Sequence, residues 1–297
     1  MRDKEFESYA LSLNYPGLRI ENEIGRGRFA SVYKGIWQDN QDVAVKILNP
    51  SNNIFSNNEG QILSEIQQCP HVIKLIAAPT DCPILIMEFK QGISSKKLID
   101  QLTPERIKFL LKSILECLES VHSKGFIHAD LTMSNIIVSP EFDDVTIIDW
   151  GSSCRLSSSM PSSIGSRTMR SPEMLFQSEK FGTKGDIWAV GTLILLILCD
   201  FKLPWDSRNQ WGHLVEMTKF FGGRRILEYA ESLGKKIPEC YSQKFEMEKT
   251  ADIETFFSPK RANLQSEELI ELMKSLLTLD MNQRPTAKEA LESKYFK

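Results

Sequence analysis

The run His128-Ala129-Asp130-Leu131-Thr132-Met133-Ser134-Asn135 holds the residues best suited to chemistry, and Asp149-Trp150-Gly151 begins nineteen positions after Asp130. Asp130 is a carboxylate that can accept a proton from a hydroxyl. Asn135 and Asp149 are oxygen donors of the kind that hold Mg²⁺ on a nucleotide's phosphates. An Asp and an Asn alone read as turn chemistry. Order and spacing along the rest of the chain give them more weight.

The flanks can position such groups. Ile136-Ile137-Val138 and Val145-Thr146-Ile147-Ile148 read as two short strands, and loops at strand ends can converge on one ligand. Leu18 to Leu48 alternates polar and apolar residues in short runs broken by glycines, which predicts an antiparallel meander. Asn49 to Asn58 is polar and reads as a loop or the approach to a helix. Glu59 to Gln68 carries Ile62, Leu63 and Ile66 and predicts a short amphipathic helix ending near Pro70. Val72–Ala78 and Ile84–Phe89 read as further strands. Thr103-Pro104-Glu105 is a helix start, and Ile107, Leu110, Leu111, Ile114, Leu118 and Val121 follow at helical spacing until Gly125. After Asp186 the pattern is mostly helical. The change from β-rich to α-rich falls between Glu88 and Gly92.

Composition narrows the classes. The chain has 297 residues, 41% hydrophobic and 25% charged, with a formal net charge of −3, which suits a soluble globular protein. That charge gives no reason to expect direct nucleic-acid or membrane binding. The charged start Met1-Arg2-Asp3-Lys4-Glu5 does not read as a secretion signal. Ile187 to Cys199, the longest apolar run, is too short to span a bilayer and reads as a buried helix. Six cysteines without metal spacing suggest reduced thiols in a cytoplasmic or nuclear protein.

Several motifs occur together and in order. Ile24-Gly25-Arg26-Gly27-Arg28-Phe29-Ala30-Ser31-Val32 is a hairpin whose two glycines let backbone N–H groups approach phosphate. Val43-Ala44-Val45-Lys46 follows, with Ala44 and Lys46 on one strand face. Ser171-Pro172-Glu173, Gly185-Asp186-Ile187-Trp188 and Asn282-Gln283-Arg284-Pro285 come later. This series resembles the eukaryotic protein kinase family, serine/threonine type, over roughly Ile20 to Phe296.

The resemblance implies an α+β, bilobal kinase fold: an extension over 1–19, a β-rich N-lobe over 20–89 and an α-helical C-lobe over 90–297. It implies transfer of the γ-phosphoryl group of ATP, with Mg²⁺, to hydroxyls of protein substrates, and a regulatory subunit as a further partner. Asp130 would orient the nucleophile. Lys46 would reach the phosphates, with Glu59 as its counter-charge and Glu65 as the competing partner. Asn135 and Asp149 would bind the metal. Ile24 through Val32, Ala44, Met87, Glu88, Ile137 and Ile148 would surround the nucleotide. Glu173 would pair with Arg284, Asp186 would tether the catalytic-loop backbone, and Ser166 would bond Asp130.

Within the family, Trp150 after the metal-binding Asp and the runs 45–50 and 165–173 look most like the casein kinase II catalytic subunit. Replication-origin-firing kinases come second. Four departures stand out. Counted strictly, the third glycine of the loop is Ala30, with Ser31 beside it. Ala129 replaces the family's Arg before the catalytic Asp, and Thr132 replaces a Lys. The basic run that casein kinase II carries before its helix Glu reads Asn52-Asn53-Ile54-Phe55-Ser56-Asn57-Asn58 here. Arg167 and Arg170 remain candidates for reading an acid beside the target residue. A pseudokinase scaffold is the alternative from another class. A small-molecule phosphotransferase of the aminoglycoside-kinase kind fits less well, because it lacks the Ser-Pro-Glu and Gly-Asp-Ile-Trp elements.

Overall fold

Alternation along the first third of the chain builds an antiparallel sheet. The computed structural model describes residues 15–27, 30–38, 40–48, 58–80, 82–157, 164–179, 181–245 and 251–297. Strands β1 (Leu18–Arg26), β2 (Ala30–Trp37) and β3 (Gln41–Leu48) form the expected meander. With β4 (Leu75–Ala77) and β5 (Ile84–Glu88) they make a five-stranded sheet in the order β1-β2-β3-β5-β4. Period-two alternation sorts its two faces. Tyr33, Val43, Val45, Ile47, Ile84 and Ile86 pack on one face as a small core. The other face carries Val32 paired with Lys46, and Ala44 paired with Met87.

Helix α1 (Asn58–Ile66) lies against that sheet and buries Ile62, Leu63 and Ile66. Gly60 allows the close approach. A Cβ there would stand 3.0 Å from Ala78 Cβ and 3.1 Å from a Leu85 methyl.

The strand expected from Val72 to Ala78 is shorter than its apolar run suggested. His71 takes a left-handed φ of 62°. Its carbonyl accepts from Ile147 N at 2.7 Å, and Ile73 N donates to Ile147 O at 3.2 Å. Residues 71–73 therefore leave the large sheet to bridge to Ile147, and regular pairing starts only at Leu75.

The second lobe begins with helices α2 (Ser95–Asp100) and α3 (Pro104–Ser123). Thr103 caps α3 by accepting from Arg106 N, and Ile107, Leu110, Leu111, Ile114, Leu118 and Val121 are buried as spaced. Gly125, at φ 79°, ends the turn that follows. Two small ribbons come next: β6 (Phe126–Ile127) with β9 (Cys154–Arg155), and β7 (Ile136–Val138) with β8 (Val145–Ile147).

The remaining helices are α4 (Pro172–Leu175), α5 (Thr183–Leu198), α6 (Gln210–Phe221), α7 (Gly223–Ser232), α8 (Glu239–Ser242), α9 (Glu267–Leu276) and α10 (Ala287–Leu291). Helix α5 is buried on nearly every side, as its apolar run requires. It crosses close to α9 because position 191 is glycine, where a Cβ would come within 2.9 Å of Leu276 and Leu277. Among the described residues no helix is long and apolar enough to cross a membrane. All six cysteines are free thiols.

The result is the bilobal α+β arrangement, with a β-sheet lobe and a helical lobe. Leu85 and Met87 of β5 and the apolar face of α1 join the same continuous core as α3 and α5. The two lobes are thus packed together directly, and the cleft residues rest on that shared floor.

Candidate active site

The cleft is organised around one buried amine. Lys46 is 8% exposed on β3 and donates to Glu59 Oε1 at 2.8 Å and Oε2 at 2.7 Å. It also donates to Asp149 Oδ1 at 2.7 Å. Glu59 sits in the first turn of α1 and is 3% exposed, so its charge needs this partner. Glu65 faces the other way and pairs with Arg155. Burial works against the Lys46 charge, but the Glu59 and Asp149 carboxylates outweigh it and raise its pKa. Asp149 is half-exposed; partial burial opposes its charge, yet Lys46 beside it holds its carboxyl below the usual value.

Backbone shape aims Asp149. It takes φ 60°, ψ 67°, the left-handed region an Asp tolerates better than most residues. Gly151 lets the cluster close, since a Cβ there would lie 3.2 Å from Glu59 Oε2 and 3.4 Å from Lys46 Nζ. Trp150 between them is fully buried and donates from Nε1 to Ile147 O at 3.1 Å. It meets His128 edge-on at 4.7 Å.

Asp130 stands in the loop after β6. Its Oδ1 accepts from the backbone N–H of Ser166 at 2.8 Å. The expected link from Ser166 is therefore made, but by the peptide. Asn135 donates from Nδ2 to the Asp130 carbonyl at 2.9 Å, so Oδ1 is the atom it offers to a cation. Ile148 N bonds Asn135 O at 2.9 Å, and Ile148 O faces His128 Nε2 at 3.2 Å. The segment 128–135 and the segment that begins at Ile148 are thus tied to each other.

Asp186 anchors the loop from beneath. Its carboxylate accepts from His128 N at 2.9 Å and Ala129 N at 2.8 Å, and His122 Nε2 lies at 2.9 Å. Burial alone would favour the neutral acid, but the bonds from His122 and the His128 amide keep its pKa below the ordinary value. Nothing in the residue order marks His122 as a partner of Asp186.

The other expected residues take these places. Ile24, Gly25 and Arg26 end β1, and Ile24 is 46% exposed. Arg26 is bound to Glu23 at 2.6 and 2.9 Å, which draws its guanidinium along its own strand. Gly27 N donates to Ala30 O at 2.8 Å, closing the hairpin. Arg28 and Phe29 lie outside the described residues. Ala30, Ser31 and Val32 open β2, with Ser31 buried. Met87 faces Ala44 across the strand pair. Glu88 N bonds Lys74 O at 3.0 Å and its carboxylate accepts from Lys74 N, so its side chain is held on β4's side. Ile137 is half-buried under Gly92, whose absent Cβ would stand 2.5 Å from an Ile137 methyl. Ile148 is half-buried beside Asp149.

The donor set fits a divalent metal ion carried in by a nucleotide. Among the described residues no three His, Cys, Asp or Glu side chains form a metal site of their own. One half-exposed carboxylate and one amide oxygen suit a small hard cation that takes its other ligands from phosphates and water. Thr132 and Ser134, next to Asp130, bond each other through their hydroxyls at 2.8 Å and bring no charge.

The protein kinase domain model matches residues 18–296. A protein of Dictyostelium discoideum named "probable serine/threonine-protein kinase" is 24% identical over 302 residues. The alignment covers 99% of this chain and 50% of that relative, so the chain spans half the relative's length.

Proposed function

The chain belongs to the protein kinase domain family, and on that premise we propose that it transfers the γ-phosphoryl group of ATP to serine or threonine hydroxyls of proteins. The observation that carries this reading is Lys46 held at 2.7 Å from both Glu59 and Asp149. Such an amine already stands where phosphate would arrive, and only one of its three bonds has to be exchanged to meet it. Lys46 binds the α- and β-phosphates, and Ala44 leaves room for the adenine. Asp149 and Asn135 hold the metal, which when bound shields phosphate charge. Asp130 accepts the hydroxyl proton as the substrate oxygen bonds to the γ-phosphorus and the bridging P–O bond to ADP breaks.

Within the family we place the chain nearest the casein kinase II branch, with replication-origin-firing kinases next. Trp150 and the runs 45–50 and 165–173 support this; the Asn-rich stretch 52–58 speaks against a strong acidic preference. Arg167 is exposed and available to read an acid in the substrate, whereas Arg170 bonds the chain's own carbonyls. A regulatory subunit and a cytoplasmic or nuclear setting belong to the same reading.

A scaffold without activity is the second reading, favoured by Ala129 and Thr132. Radiolabelled γ-phosphate transfer to acidic and basic peptide libraries separates the two. Transfer by the parent and its loss in Asp130→Asn is the expected result. Nucleotide binding with no transfer above that control, across both libraries, would establish the scaffold. Asp149→Asn should weaken Mg²⁺-dependent nucleotide binding more than metal-free binding, and equal effects would remove Asp149 from the metal site.

A further inference from the structure

Arg170 is half-buried and points into its own chain. Its Nε donates to Ile164 O at 2.8 Å and to Gly165 O at 3.2 Å, and its Nη2 donates to Gly165 O at 2.8 Å. The peptide whose oxygen it grips is the Gly165–Ser166 unit. The N–H of that same unit donates to Asp130 Oδ1 at 2.8 Å. One planar group therefore carries an arginine on its oxygen and the candidate base on its nitrogen.

We infer that Arg170 is a positioning residue for Asp130, acting through the Gly165–Ser166 peptide. This rests on the transfer reading proposed above. Peptide planarity makes the link rigid: turning the N–H away from Asp130 also turns the carbonyl out of the guanidinium's reach. Hydrogen bonds on both ends of one amide also polarise it, which strengthens each.

Both ends of the link are anchored. Gly165 has φ 70°, and a Cβ there would stand 2.0 Å from Ala129 O, so the segment lies against the catalytic loop as only glycine allows. Residues 166–170 form a single tight turn, with Met169 N bonded to Ser166 O at 3.0 Å and Arg170 N to Arg167 O at 3.2 Å. Next comes α4, whose Glu173 is locked to buried Arg284 at 2.8 Å. The path from that ion pair to Asp130 thus runs through short, bonded steps. Ala129 supplies no guanidinium to join the catalytic loop to the segment after it. Arg170 supplies that join from the opposite side.

The test uses the full chain and peptides with and without an acid beside the target residue. Arg170→Gln should lower kcat on the order of 10- to 100-fold, the scale expected when a reacting group is displaced by about an ångström. The nucleotide Kd and the peptide KM should stay near parental values for both peptide types. Arg170→Lys, which keeps charge and one donor, should recover part of the loss. Guanidinium ion at millimolar concentration should recover part of it in Arg170→Ala, provided that variant melts near the parent; if it does not, the Lys variant decides.

Parental kcat in Arg170→Gln and Arg170→Lys overturns the role. So does a raised KM confined to acidic peptides, because Arg170 then reads substrate. A parent that transfers nothing overturns the proposed activity and this role with it. A transferring parent with unaffected variants overturns this role alone.

Discussion

Glu173 and Arg284 meet as a fully buried ion pair, 111 positions apart, through bonds of 2.8 and 3.2 Å. Arg284 also donates to the carbonyls of Thr278, Lys184 and Leu279, and Tyr229 OH lies 3.3 Å from the Glu173 carboxylate. Every charge-bearing atom is thus satisfied inside the protein. Removing one partner strands the other in a low-dielectric interior. Arg284→Ala should cost about 3–5 kcal/mol of unfolding free energy, and Arg284→Lys less. Chemical denaturation measures both. A loss of less than about 1 kcal/mol for the alanine variant would mean that the pair behaves like an exposed one.

Lys46→Met should reduce phosphoryl transfer by at least about 10²–10³-fold, since it removes a fixed cation from the phosphates. Glu59→Gln should hurt less, because the charge on Lys46 remains while its placement loosens. Lys46→Met also leaves Glu59 buried with no cation. Burial raises the Glu59 pKa, and the variant loses the Lys46 charge that opposes this. An acid whose folded pKa lies above its unfolded value binds more protons when folded. Stability therefore falls as pH rises from the ordinary carboxylate value toward neutrality. Melting curves of parent and variant should diverge from mildly acidic to neutral pH. Curves that run parallel would show that Glu59 is no longer buried in the variant.

Much of this arrangement could be read from residue order, and the reasons are physical. Strand alternation alone puts Ala44 and Lys46 on one face. Helix spacing alone places the buried stripe of α3, and Thr103-Pro104 marks its start. The bilobal architecture is what the resemblance to the kinase family implied. What escaped depends on backbone dihedrals and on groups distant in sequence. Nothing local signals the left-handed φ of His71, which cuts the strand before Leu75. Ser166 was expected to bond Asp130, but its peptide makes the bond. Arg170 looked like a substrate reader until its two carbonyl partners placed it inside. His122 beneath Asp186 and the burial of His213 carry no pattern, because a histidine's neighbours come from other elements.

His213 gives a pH prediction. It lies on α6, fully buried, and among the described residues neither ring nitrogen has a hydrogen-bond partner. Burial pushes its pKa down from 6.5 to about 4, Asp206 and Glu216 pulling up and Arg167 down. The unfolded chain then binds a proton at a pH where the folded chain does not. The stability tied to the neutral ring is complete above pH 6.5 and is lost as pH falls toward about 4. His213→Phe should flatten the unfolding free energy between those two values. An unchanged slope would mean that the ring has a partner or access to water in solution.

The last prediction concerns Thr132. Its hydroxyl bonds Ser134 at 2.8 Å, two residues from Asp130, and neither side chain carries charge. In the family pattern a lysine at this position lies between the base and the γ-phosphate. If Asp130 and Lys46 work as proposed, a cation at 132 stabilises charge that develops only during transfer, so it should raise kcat more than it lowers KM. Losing a comparable preorganised donor costs about 10²–10³-fold in other enzymes. The gain here should be smaller, since the Thr132–Ser134 bond must first be given up. Thr132→Lys, assayed beside Thr132→Met with the same peptides, separates charge from bulk. A rise in kcat with Lys and none with Met places the position beside the transferred phosphoryl group. Equal kcat in parent, Lys and Met variants would show that residue 132 does not face the reaction.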